Sequence, residues 1–487
     1  MSSTRGFRLR LFSDVGMTRE LRRSLYWVIW AVTAGMLGNV VTTGAVWSGF
    51  QREILGANDF QIGLFAAIPV AANVVQLFIS YYMERKCNRR FLFLFFGLLG
   101  RSFWIPIGLV PYLFPTLNAD LRIWMVIVFT VMVSGGNSFV NLGFGSLMGD
   151  LVPMRIRGQY FSVRQMISLI SGVICGVLVS KMIDSLGASG YTIALVLAGV
   201  SYMLDITCFL FFKWPPMTRS DEPQKSFFTM LREVFANKPF MKVVIVYTLW
   251  LFASNIAGPF WNVYMIEDLR MSYTDMALYT QIISSVATVL FVSRWGRMID
   301  RYGNKPVLQI AALACVFTPL PWLFATPSAT FFVLLSNLFS GIFWPASDLC
   351  QQNLYLGESP QLHRSMYIAV FFAFVNLPGI ALANAVGGWL MQNPFASLGA
   401  MRYTLLGITL KSSHYIFMLT MALRLLVVVF ALPWVQEEGA WRATDALRDI
   451  IKRTRESFTA RYQSIRTFIL RKRLRKQLKQ EEQHDKP

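Results

Sequence analysis

Five charged side chains lie inside long apolar runs of the sequence: Arg101, Arg164, Asp205, Asp348 and Arg424. A charge inside a lipid-embedded segment is costly, so such a residue normally faces a partner or a water-filled cavity. Three kinds of chemistry suit these residues: ion pairing, binding of a charged or polar solute, and exchange of a proton. Which of these three roles a residue has depends on the helix that carries it and on the position of that helix in the membrane.

Composition places those elements in a membrane. Of 487 residues, 55% are hydrophobic and only 15% are charged, whereas a soluble chain carries about a quarter charged residues. A bilayer core needs about 20 apolar residues in a helix. Runs of this kind fall at 25–49, 60–83, 91–113, 122–147, 161–183, 190–212, 242–265, 275–294, 306–325, 330–355, 366–391 and 413–435. The sequence therefore predicts an all-α integral membrane protein with twelve transmembrane helices.

The loops between these runs predict five regions and an orientation. The regions are a basic N-terminus (1–24), a first half (25–212), a linker (213–241), a second half (242–435) and a basic amphipathic tail (436–487). Most of the 46 lysines and arginines lie in alternate loops and at both ends. Because positive loops stay inside, we expect a multi-pass cell-membrane protein with both termini cytoplasmic, facing an anionic inner leaflet. This placement accounts for the net charge without nucleic acid as a partner.

An internal repeat relates the two halves. One constant offset sets Asp59 against Asp275 and residues 84–85 against 300–301, and a second offset matches the loops after spans four and ten. Two matches in the same order predict two pseudo-symmetric halves of six helices.

The loop after span eight reads G-R-M-I-D-R-Y-G-N-K-P, with Gly296, Arg297, Asp300, Arg301, Gly303 and Lys305 at its defining positions. It resembles the signature loop of the major facilitator superfamily of secondary transporters. The loop after span two, with Glu84 and Arg85, resembles a degraded copy. The loop after span four resembles the family's P-x-x-x-R-G pattern through Asp150, Pro153, Arg157 and Gly158.

The resemblance implies two rocking six-helix halves and a cytoplasmic gate built by these loops. Asp300 and Arg301 lead the gate candidates. Simple anchoring of positive loops is the alternative, and it is favoured for Lys305.

Arg101 and Asp205 lie at matching depths in spans three and six, which favours a structural ion pair over a substrate site. Arg164 lies near the inner end of its span, from where it can reach the headgroups.

Asp348 lies in span ten, which the resemblance places beside a central cavity with spans one, four and seven. There a buried aspartate would exchange a proton or bind a cationic or hydroxylated solute. Pairing with Arg424, or a position at the inner interface, is an equal alternative. The remaining cavity candidates are Asn39, Asn137, Asn141, Trp250, Asn255, Trp344 and Gln351, with Trp261 and Asn262 beside them. Each one alone is more simply structural, but together they predict a polar, mostly uncharged cavity.

No enzyme signature is present. The sequence has no phosphate-binding loop, and its three histidines and five cysteines form no metal-binding or catalytic spacing. The predicted function is secondary active or facilitative transport of a small polar organic solute by a monomer, without a cofactor and with a proton or sodium ion as candidate coupling ion. Two alternatives stay open: an exporter of an amphipathic or drug-like compound, and a non-transporting receptor or scaffold on the same fold.

Overall fold

The computed structural model describes residues 18–76, 89–153, 156–211, 214, 227–360, 364–405, 408–437, 439–450 and 452. Within them, eleven helices are long and apolar enough to cross a membrane, and a twelfth apolar helix is shorter. We number them α1 to α12: Arg19–Thr42, Asp59–Ala72, Arg90–Leu113, Ala119–Gly145, Val163–Leu186, Ala188–Cys208, Lys238–Glu267, Tyr273–Tyr302, Asn304–Phe324, Phe331–Gly357, Met366–Ala400 and Ser412–Trp434. The predicted helical membrane fold is confirmed.

Short elements complete the described chain. A helix at Ala45–Gly49 continues as one π-helical turn between α1 and α2, and the helix Phe227–Ala236 lies within the predicted linker. The hairpin of β1 (Thr404–Leu405) and β2 (Ile408–Thr409) is antiparallel and joins α11 to α12.

Polar caps define several helix starts. The Asn58 side chain accepts a hydrogen bond from the backbone N–H of Gln61, and the Gln61 side chain accepts one from the backbone N–H of Asn58, which forms a capping box ahead of α2. Asn237 caps α7 through its side chain, which accepts from the backbone N–H of Phe240. Thr18 caps α1, so this helix begins at Arg19 rather than at the predicted residue 25.

Prolines interrupt helices of the second half. In α9 the regular helix ends at Val316 and a 3-10 turn follows at Leu320–Phe324. Pro319 has no N–H, so the carbonyl of Cys315 lacks its usual helical donor and accepts instead from the backbone N–H and the hydroxyl of Thr318. The α7 helix likewise opens into a turn between Asn255 and Phe260. Such breaks expose backbone polar groups inside a bundle, where side chains can use them.

The two halves join at only one end of the described bundle. We call the end where α1 begins and α12 ends the proximal end, and the opposite end the distal end. One buried apolar cluster crosses the distal end and includes Trp47 and Phe65 from the first half with Phe260 and Tyr273 from the second. Toward the proximal end, each half has its own separate cluster.

Two glycines bring the halves into backbone contact at the distal end. A Cβ built on Gly63 of α2 would lie 2.5 Å from the carbonyl oxygen of Asn384 and 2.9 Å from Cα of Gly388, both in α11. No side chain fits at that distance, so the close approach of α2 and α11 requires glycine at this position.

Candidate functional site

A buried ion pair lies in the first half. Arg101 of α3 donates through Nη1 to Asp205 of α6, and the two side chains are only 11% and 13% exposed. The same Nη1 donates to the carbonyl of Tyr202 at 3.2 Å, while Nε donates to Oδ1 of Asn137 at 3.4 Å. A Cβ at Gly35 of α1 would lie 3.0 Å from the carboxylate. Four helices therefore meet at this pair, and Asn137, a predicted cavity residue, is bound to it.

The second half contains a polar cavity of about 410 Å³, within the range of small-molecule sites. It lies among α7, α8, α9, α10 and α12. Amides, hydroxyls, indoles and one guanidinium line it: Ser254, Asn255, Trp261, Asn262, Thr280, Thr318, Trp322, Ser336, Asn337, Ser340, Trp344 and Arg424. The predicted residues Asn255 and Trp344 come together here.

Arg424 of α12 reaches this cavity beside the break in α9. Its Nη1 donates to the carbonyl of Cys315 at 2.8 Å and to Oγ1 of Thr318 at 3.0 Å, and the same carbonyl also accepts from the backbone N–H and the hydroxyl of Thr318. The guanidinium lies over the ring of Trp344, 5.3 Å from its centroid. Two neighbouring helices thus hold a charge of α12 at the cavity wall.

Asp348 lines a second cavity of about 420 Å³ between α8 and α10, which shares Ser340 and Trp344 with the first. The expectation that Asp348 is buried is wrong: the residue is exposed, because it faces this open cavity. The alternative pairing with Arg424 is also absent from the described ion pairs, since that arginine binds α9 instead.

The other cavity candidates do not join these residues. Trp250 is 4% exposed and faces α9 and α12 rather than the 410 Å³ cavity, so its prediction as a cavity residue is wrong. Its ring packs behind Trp344 with centroids 5.8 Å apart. Asn39 and Asn141 are exposed and Gln351 is half-buried, and none of the three lines either cavity.

At the proximal end the signature loop binds the segment after α12. The carboxylate of Glu437 accepts from the backbone N–H groups of Asn304 (3.0 Å) and Lys305 (2.6 Å), at the positive end of the α9 dipole. Arg301 pairs with Asp449 at 3.4 Å.

Other gate candidates have fewer described contacts. Arg297 and Asp300 are exposed, Gly296 is half-buried, and Pro153 is exposed. Glu84 and Arg85 lie outside the described residues, as do the side chains of Asp150 and Arg157 and the surroundings of Gly158. The gate role of the loops stays a prediction, for a conformation in which the halves meet at this end.

Two glycines of the signature loop give a matched test. Gly303 has φ +92° and ψ 166°, a region open essentially to glycine alone, so Gly303→Ala should lower the free energy of unfolding by about 1–3 kcal/mol. Gly296 lies in helical backbone with open space around it, so Gly296→Ala should leave stability unchanged or raise it by up to about 1 kcal/mol. Thermal unfolding of the two purified variants checks this, and equal losses would contradict it.

The distal end carries a polar network between the halves that the sequence analysis missed. Arg52 donates through Nη2 to Glu267 at 3.2 Å and pairs with Asp59 at 3.1 Å. Burial lowers the pKa of Arg52, but its hydrogen bond to Glu267 and the nearby carboxylate charges outweigh burial and leave the pKa raised. The guanidinium therefore stays charged and ties α7 to the start of α2.

Further contacts close the same end. Asp184, at the end of α5, accepts from the backbone N–H groups of Tyr273 (3.0 Å) and Thr274 (3.1 Å), so it caps α8 across the halves. Glu53 accepts from the hydroxyls of Tyr191 (2.7 Å) and Tyr273 (3.3 Å). The described hydrogen bonds between the halves all lie on this side.

The part of the chain that the structure describes has no cluster of three or more potential metal ligands.

The chain was compared with curated proteins and with solved structures. No curated protein matches the chain.

Three solved structures illustrate the shared fold. A bacterial homologue of the human lysosomal transporter Spinster, inward-facing and occupied, is 14% identical over 90% of this chain and 99% of its own, with a TM-score of 0.63. A bacterial homologue of the iron transporter ferroportin, inward-facing, is 14% identical over 87% and 100%, with a TM-score of 0.63. A D-xylose–proton symporter is 16% identical over 85% and 98%, with a TM-score of 0.62.

The family comparison covers most of the chain. The model of the Major Facilitator Superfamily matches residues 28–383 and 243–476. It agrees with the signature loop, the repeated halves and the twelve apolar helices. The chain therefore belongs to the Major Facilitator Superfamily and is a secondary transporter that works by alternating access.

Proposed function

We propose that the 410 Å³ cavity of the second half binds a small polar organic solute, which the chain carries across the membrane as its halves rock. The observation that supports this most directly is the lining. Three amides and three indoles line the cavity, so a solute meets hydrogen-bonding groups and flat apolar faces together. Broken helices stand beside the cavity in α7 and α9, and transporter folds use discontinuous helices of this kind to form binding sites.

The joined distal end suggests which way the cavity opens. With the halves packed there and separate toward the proximal end, a solute would enter and leave by the proximal side. Because basic residues cluster at that end, we assign it to the cytoplasm. The chain would then be a monomeric, multi-pass protein of the cell membrane in its cytoplasm-facing conformation, with the basic segments on anionic lipid.

Asp348 is our candidate for ion coupling. It is the one carboxylate that lines either of the two described cavities, and it shares Trp344 with the solute site. An accessible aspartate beside the solute can bind a proton or sodium ion in one conformation and release it in the other. Movement of the solute would thereby depend on the ion gradient.

A matched pair of asparagines tests the solute site. Asn255 donates its amide to Leu251 at 2.9 Å and Asn393 donates to Trp389 at 3.0 Å, each to the carbonyl four residues earlier. Only Asn255 lines the cavity. We expect Asn255→Leu to weaken solute binding about tenfold, the effect of one lost hydrogen bond, and Asn393→Leu to leave it unchanged.

The measurement is thermal unfolding of purified protein against sugars, amino acids, nucleosides and organic acids. A ligand at 100 times its Kd adds about 2.7 kcal/mol, which raises the midpoint by several degrees. A ligand that binds the wild type and Asn255→Leu equally well would place the solute elsewhere.

A further inference from the structure

We propose that Arg424 binds the carboxylate of the solute, so the transported compound is a small organic monocarboxylate that also carries hydroxyl or amine groups. This inference rests on the proposed function, because it names the chemical class that the same cavity accepts.

The first step is the cost of the charge. Arg424 is 4% exposed, yet no carboxylate among the described residues pairs with it. Asp348, the carboxylate that lines the neighbouring 420 Å³ cavity, forms no ion pair with it. A buried cation without a counter-ion costs several kcal/mol. A carboxylate in the cavity would offset that cost, so the burial of Arg424 favours a ligand of opposite charge.

The second step concerns the donors that Arg424 does not use within the described protein. Nη1 already donates hydrogen bonds to Cys315 and Thr318 of α9. Nε is buried without an acceptor, and Nη2 has no hydrogen bond to any described residue. These two nitrogens form one edge of the guanidinium, the edge that matches the two oxygens of a carboxylate. The ring of Trp344 beneath the group fixes its plane.

The third step concerns the rest of the ligand. The amide nitrogens of Asn255 and Asn337 already donate to their own helices, to Leu251 and Val333, each at 2.9 Å. Their oxygens are left as acceptors at the cavity wall, so the ligand must bring donors such as hydroxyl or ammonium groups. Trp261 and Trp322 add flat apolar faces.

The fourth step is a charge count. Arg424 is the one ionisable residue that lines the 410 Å³ cavity in the described chain. A carboxylate neutralises it, whereas a phosphate monoester would leave a surplus negative charge in a poorly hydrated space. By this count a hydroxy acid or a sugar acid fits the site better than a phosphorylated compound or a neutral sugar.

The test compares matched ligands on the purified full chain. Gluconate, lactate and serine are each titrated beside the analogue in which an alcohol replaces the carboxylate, together with glucose 6-phosphate, and binding is followed by tryptophan fluorescence and calorimetry. We expect at least one carboxylate to bind at least tenfold more tightly than its alcohol. Arg424→Gln should weaken that carboxylate about 10- to 150-fold, because a charge-assisted hydrogen bond is lost, and Arg424→Lys should retain part of the affinity.

Arg424→Lys also serves as the folding control, since it keeps the charge at the same position. Tighter binding of glucose 6-phosphate than of every carboxylate would overturn the choice of ligand class. So would equal affinity for acids and alcohols, or an absence of charge-dependent binding across the panel. If a neutral solute binds the wild type and Arg424→Gln alike but is lost in Asn255→Leu, the anion proposal fails while the proposed solute site stands.

Discussion

Arg101→Leu is expected to lower the free energy of unfolding by about 3–5 kcal/mol, because it leaves Asp205 buried without its counter-ion. The carboxylate is 13% exposed and is enclosed by α1, α3, α4 and α6. Few water molecules can replace the guanidinium there. Denaturation in mixed micelles, followed by circular dichroism, measures the loss.

Two further variants separate charge from packing. The double variant Arg101→Leu/Asp205→Leu should recover most of the lost stability, because no unpaired charge remains. Arg448 pairs with Asp445 at 3.9 Å on the surface, where it is 83% exposed, so Arg448→Leu should change stability by less than about 1 kcal/mol. If Arg101→Leu unfolds no more easily than Arg448→Leu, the pair has no structural role and a substrate role becomes the better interpretation.

Gly63→Val is expected to open the distal end and reduce transport severely. The Cβ of the added side chain would lie 2.5 Å from the backbone oxygen of Asn384 in α11. Overpacking of this kind costs about 1–3 kcal/mol. Because the clash exists only while the halves are joined there, the population of that conformation should fall by about 5- to 150-fold. Transport requires both conformations, so the turnover rate should fall with it.

Spin labels at the distal end report the change. Asp120 and Ser328 are exposed positions of the first and second half at that end, and labels there, in a variant without the five native cysteines, should move apart in Gly63→Val. Gly135→Val is the matched control, since nothing lies within 4 Å of a Cβ at that position of α4. Unchanged distances in Gly63→Val would show that this glycine contact does not hold the halves together.

Much of this architecture could be predicted because it depends on local sequence. The length of the apolar runs predicted the helices, and the glycines and charges of the signature loop indicated the family. Matching depth was enough to place Arg101 beside Asp205, since both lie near the middle of spans in the same half.

The cavity was harder to predict because it depends on small rotations and on helix breaks. Asp348 lies on the face of α10 toward α8, away from Arg424, and no spacing in the sequence reveals which face a buried helix turns inward. Arg424 donates to the carbonyl of Cys315, close to the break at Pro319 in α9. Which helix a residue of α12 contacts could be determined only from the packed structure.

The distal network was missed for a related reason. Arg52 and Glu267 belong to different halves, and each looks like an ordinary loop charge in isolation. Asp59 was noticed only as part of the internal repeat. Contacts between halves depend on the conformation as well as on the sequence, so the residues of a closed end have no local signature.

Flux through liposomes tests the central claim most directly. The purified chain is reconstituted, and entry of the radiolabelled solute that binds the 410 Å³ cavity is measured beside protein-free liposomes and beside Gly63→Val. We predict saturable entry in the wild type, with half-saturation near the measured Kd, and strongly reduced entry in Gly63→Val. A solute that binds at Asn255 and Arg424 but crosses no faster than in protein-free liposomes would contradict transport and favour a receptor built on this fold.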